Sequence, residues 1–126
     1  MNTNYQFGLL YLVHLLISAD GVIDENEKAA LLKIKEHEGI PDTIFNEFAN
    51  TIQRLKEREI FYKGIELINH CTHAEKIRTF VILYKLSEVD GHVHIKEIRF
   101  LLYSIKLSDI EFNELVFEAG QFKSFF

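Results

Sequence analysis

The 126-residue chain has no tryptophan, and cysteine, proline and methionine occur once each. A lone Cys71 cannot close an internal disulfide, so the fold must rest on packing, and the sequence fits a reducing compartment. With Pro41 the single proline, few positions are closed to helix. No run of one charge is present: 14 basic residues are scattered among 19 acidic ones, for a net charge of −5. Gripping phosphates requires several Lys or Arg on one face. The nearest approach, Arg54-Leu55-Lys56-Glu57-Arg58, reads as a solvated helix end, so nucleic acid is not an expected partner. A glycine-rich phosphate loop, a serine nucleophile elbow and a dinucleotide fingerprint are all missing. Long hydrophobic runs are missing too. Phe7 to Ala19 is apolar enough to imitate a signal-peptide core, but it lacks a basic n-region, is interrupted by His14, and is too short to span a bilayer. The similar run Phe80 to Leu86 lies deep in the chain. Both read as buried helices, and the expected setting is cytoplasmic with no direct membrane insertion.

What is present is apolar bulk: 48% hydrophobic residues, including eleven Phe and five Tyr. That suffices for one domain over residues 1–126 with its own core. Strand-like Val/Thr runs are missing, and the apolar residues recur with helical period. Helices are expected over about Tyr5 to Ser18, Glu25 to Glu38, Asp42 to Leu55, Glu57 to His70, from Thr72 onward through Tyr84, Ile95 to Ile105, and from Ser108 to Gly120. Gly39 followed by Pro41 marks a stop. Thr72-His73-Ala74-Glu75 and Ser108-Asp109-Ile110-Glu111 have the pattern of capping boxes. The fold class is therefore all-α, with about seven helices. The first helix is apolar nearly all round and should be central.

The chain repeats itself. Asp20-Gly21-Val22-Ile23-Asp24-Glu25-Asn26-Glu27 matches Asp90-Gly91-His92-Val93-His94-Ile95-Lys96-Glu97, and Leu31-Leu32 matches Leu101-Leu102. After a short length difference, Asp42, Phe45, Asn46 and Glu47 echo Asp109, Phe112, Asn113 and Glu114. The repeat covers about 9–48 and 79–115, which implies two pseudo-symmetric helix–loop–helix halves packed face to face.

In each unit Asp precedes a reversal that glycine permits, and Glu falls in the first turn of the next helix. Asp20 with Glu27, and Asp90 with Glu97, can approach across the reversal and offer hard oxygen ligands. The alternative is structural: Asp24 and Glu27 form a capping box, and first-turn acids suit the helix dipole. The units are not EF-hands, because the closing Glu comes at the eighth position, and His92 and His94 stand where acids are expected. His92 and His94 could shift preference toward zinc. His70-Cys71-Thr72-His73 has too few ligands for a closed zinc site and reads as a helix end. The terminal Gln121-Phe122-Lys123-Ser124-Phe125-Phe126 is a Phe-rich tail that must either dock on its own domain or meet a partner or a second copy.

Ala19 through Leu31, together with Val89-Asp90-Gly91 through Leu107-Ser108, resembles the TerB-like (tellurite-resistance protein B) family, also found in the N-terminal part of DjlA-type membrane co-chaperones. The likeness runs from about Leu9 to Leu115. It implies a pseudo-twofold helical domain, an acidic metal-binding surface carried here by Asp20, Glu27, Asp90 and Glu97, and a loose link to tellurite and other stress responses. His92, His94 and Ile105-Lys106-Leu107 depart from the family's more acidic or glycine-bearing pattern. The expected function is a non-enzymatic module that binds a divalent cation (calcium or magnesium, or zinc if His92 or His94 takes part), a partner protein, or a second copy. Two alternatives stay open: a scaffold whose acids only cap helices, and a carboxylate-based metal-dependent hydrolase.

Overall fold

A computed structural model describes residues 2–17, 25–89, 95–123 and 125–126, the side chains of residues 89 and 95–98 excepted. Among these residues the chain forms seven helices and no strand: α1 (Thr3–Ile17), α2 (Glu25–Glu38), α3 (Asp42–Arg54), α4 (Glu57–Asn69), α5 (His73–Val89), α6 (Ile95–Leu107) and α7 (Phe112–Gln121). No helix among them is long and apolar enough to cross a membrane.

The centre is α1, whose Leu9, Leu10, Leu12 and Val13 are wholly buried. It packs on α2, α3, α4, α5 and α6, while α5 packs on α4, α6 and α7. The closest approach is between α1 and α4. A Cβ built on Gly8 would lie 2.6 Å from Ile68 Cδ1, and one on Gly64 would lie 3.0 Å from Leu12 Cδ2. Two glycines thus let the helices approach closely, and the pairing of Gly8 with Ile68 and of Leu12 with Gly64 makes them antiparallel.

The helix starts Thr3 and His73, Glu25 and Ile95, and Asp42 and Phe112 are each 70 residues apart. The two halves are α1–α3 and α5–α7, with α4 between them. Their turns match as well. Gly39 has φ 65° and Asp109 has φ 57°. Ile40 N–H donates to Lys35 O at 2.9 Å and Gly39 N–H to Glu36 O at 3.3 Å; Ile110 N–H donates to Ile105 O at 3.3 Å and Asp109 N–H to Lys106 O at 3.2 Å. Both are Schellman endings, with a left-handed residue followed by a buried isoleucine.

This register corrects two expectations. The length difference that would pair Asp42 with Asp109 does not exist in the turn, because Asp109 stands where Gly39 stands. Nor does Ser108-Asp109-Ile110-Glu111 form a capping box. The Ser108 hydroxyl is buried and has no hydrogen-bond partner among the described residues, and Glu111 at the N-cap makes no side-chain cap. A left-handed Asp109 turns this stretch into the end of α6 instead of the start of α7. Gly120 likewise lies within α7, which ends at Gln121. The other box does form: Glu75 N–H donates to Thr72 Oγ1 at 3.1 Å, and Thr72 N–H to Glu75 Oε1 at 3.0 Å.

Candidate functional site

The two Asp-Gly segments lie outside the described residues, but the helices that flank them are described. Asn2, just before α1, bonds Glu75 in the first turn of α5 at 2.9 Å. Three residues on, Tyr5 and Arg78 meet on the same carboxylate, Glu38. Helices α1 and α5 therefore start side by side. Leu15, near the end of α1, shares a cavity with Phe100 in the middle of α6.

Of the four acids expected to form the site, Asp20 and Asp90 lie outside the described residues, as do His92, His94 and the side chain of Glu97. Glu27 is described, and it is not a surface acid: it is 1% exposed, beside His14 at 2%. His14 Nδ1–H donates to Glu27 Oε2 at 2.9 Å, and the imidazole meets the Phe48 ring edge-on, with centroids 6.2 Å apart. His14 sits in the last turn of α1 and Glu27 in the first turn of α2. Their bond ties together the two helices that flank residues 18–24. A buried carboxylate is tolerated only when hydrogen-bonded, and His14 meets that need.

A second buried carboxylate was not foreseen. Glu38 closes the inward stripe Glu27, Leu31, Ile34, Glu38 of α2, and its side chain is 1% exposed. Its Oε1 accepts from Arg78 Nε at 2.6 Å and from Tyr5 Oη at 2.5 Å; its Oε2 accepts from an Arg78 terminal amino group at 2.7 Å and from His37 Nδ1 at 2.8 Å. Burial alone would raise the Glu38 carboxyl, but the hydrogen bonds from Arg78, Tyr5 and His37 outweigh it and bring the pKa to about 2. Burial, then the Glu38 bond, pushes the Tyr5 phenol well above its ordinary value. The Phe-rich tail folds onto this cluster: Phe125 stacks on His37 at 4.0 Å, and Phe122 lies 5.5 Å from the Arg78 guanidinium carbon.

The His70–His73 stretch is dispersed. His73 Nε2 pairs with Glu114 at 2.7 Å, and Cys71 Sγ points at Leu67 O at 3.4 Å. Burial, then the Glu75 carboxylate, pushes the Cys71 thiol up, which keeps it protonated and poorly nucleophilic. Among the described residues no three His, Cys, Asp or Glu side chains are grouped to hold a metal.

Compared with known protein families, curated proteins and solved structures, this chain matches none.

Proposed function

We propose that this chain is a non-enzymatic, TerB-like module whose two Asp-Gly segments act together on one divalent cation, and through it or beside it on a partner protein. What supports the reading is the duplication: the helix starts of the two halves keep a constant offset of 70 residues, and α1 and α5 start side by side. Asp20, Glu27, Asp90 and Glu97 are the ligands of this reading, with calcium or magnesium favoured by their oxygens and zinc by His92 or His94. His14 supports it in a second way. A carboxylate that binds metal is commonly held in place by a hydrogen bond from a neighbour, and Glu27 has that bond. Carboxylates gathered without an ion repel, so a cation should stabilise the fold by mass action.

The scaffold reading rests on the same pair, because a His14–Glu27 bond also serves simply to join α1 to α2. Thermal melts of metal-stripped protein with calcium, magnesium, manganese or zinc separate the two. An ion present at a hundred times its dissociation constant adds about 2.7 kcal/mol, a rise of several degrees in Tm. The rise should vanish in Asp20→Asn with Asp90→Asn, while the metal-free melt is not lowered. If the wild type shows no rise at millimolar ion, cation binding fails. If the double variant melts early without metal, the acids are structural.

A further inference from the structure

The constant offset of 70 residues allows each half to be compared with the other, position by position. Between α1 and α3 the space is filled by rings: Phe7 stacks on Tyr11 at 6.1 Å, and Tyr11 meets Phe48 at 5.7 Å. Seventy residues later these positions are Ile77, Val81 and Glu118. All three line an open groove of about 630 Å³ between α5 and α7. At these positions the second half carries two smaller aliphatic side chains and an exposed carboxylate, and α7 turns Leu115 and Ala119 inward where α3 turns Phe48 and Ile52.

Its floor, Ile77, Val81 and Phe122, is apolar, and its rim carries Glu75, Glu114 and Glu118. The cations on the rim are already engaged: Arg78 by both oxygens of Glu38, and His73 by Glu114. The mouth is therefore net negative over an apolar floor to which Phe122 already contributes one ring.

We infer that the α5/α7 groove is a docking site for a partner-protein segment that inserts one aromatic side chain flanked by Lys or Arg. The ring takes the space that Tyr11 and Phe48 fill in the first half, and aromatic anchors in such pockets dominate binding energy. The flanking cation meets Glu118, which sets orientation and rate of encounter more than depth of binding. This site is separate from the Asp-Gly segments and does not depend on a metal.

The test is an amide chemical-shift titration with three capped tripeptides, Arg-Trp-Arg, Glu-Trp-Glu and Arg-Ala-Arg. Arg-Trp-Arg should bind saturably and shift signals in residues 74–81 and 114–122. The other two should bind at least about fivefold more weakly. Val81→Tyr with Glu118→Phe supplies two of the first half's three rings and, in protein whose amide spectrum shows the fold retained, should abolish binding. Glu118→Lys alone, an exposed change that cannot unfold the domain, should weaken binding about fivefold. The inference is overturned if Arg-Trp-Arg does not saturate at millimolar concentration, shifts signals elsewhere, binds no better than Glu-Trp-Glu, or binds Glu118→Lys as well as wild type.

Discussion

Replacing Glu38 by Gln keeps the size of the side chain and removes its charge. In the native domain the carboxylate takes four hydrogen bonds from Arg78, Tyr5 and His37. Gln offers one oxygen and, whichever way it is turned, sets its amide N–H₂ against an Arg78 N–H, which cannot accept. A pKa that falls from 4.5 to about 2 on folding corresponds to roughly 3 kcal/mol of stabilisation at neutral pH. Leaving one member of a buried pair unmatched costs about 3–5 kcal/mol. The Arg78 side chain is 32% exposed, so water relieves part of this, and we expect Glu38→Gln to cost about 2–3 kcal/mol at pH 7. The sign of the pH dependence follows from the depressed value. The contribution of Glu38 is complete above pH 4.5 and is lost as pH falls toward 2. Urea melts of both proteins between pH 7 and pH 2 should therefore show a gap that is constant above about pH 5 and closes through the acid range. A gap that persists unchanged to pH 2, or no gap at pH 7, would refute the assignment of Glu38 as a charged, buried hub.

Three further outcomes follow from the turns, the helix crossing and the tail. Asp109→Gly relieves a left-handed, non-glycine residue and should stabilise by about 0.5–1 kcal/mol, while Gly39→Ala should cost about 1–2 kcal/mol, both read by denaturant midpoint. Gly8→Val pushes side-chain atoms into Ile68 and should cost about 1–3 kcal/mol, with partial recovery in Gly8→Val, Ile68→Ala. Deleting the residues after Gln121 removes the rings over His37 and Arg78 and should lower Tm, each half-buried ring being worth no more than about 1.5–3 kcal/mol; an unchanged Tm would show that the tail adds nothing.

The helices were legible because period and breakers agreed: Gly39 and Pro41 mark the end of α2 and the start of α3, and Thr72 with Glu75 marks the start of α5. The Ser108 stretch misled because capping residues and a helix end use the same small polar side chains. Only the register with Gly39-Ile40 shows that Asp109-Ile110 is a stop. The buried acids were legible in part. Glu27, Leu31, Ile34 and Glu38 lie on one stripe of α2, and asking which charges fall on that inward stripe would have marked both Glu27 and Glu38. Their partners were not legible. His14 lies across a chain reversal from Glu27, and Arg78 reaches Glu38 from another half of the molecule, so only the packing of α1, α2 and α5 brings them together.

Under the proposed function, the two Asp-Gly segments form one site. Calorimetric titration of metal-stripped wild type and of Asp90→Asn with the ion that raises Tm measures this most directly. One ion per chain in the wild type, and no binding in Asp90→Asn although Asp20 and Glu27 remain, is the expected result. Two ions per chain, or one ion bound with unchanged affinity when Asp90 is replaced, would contradict it.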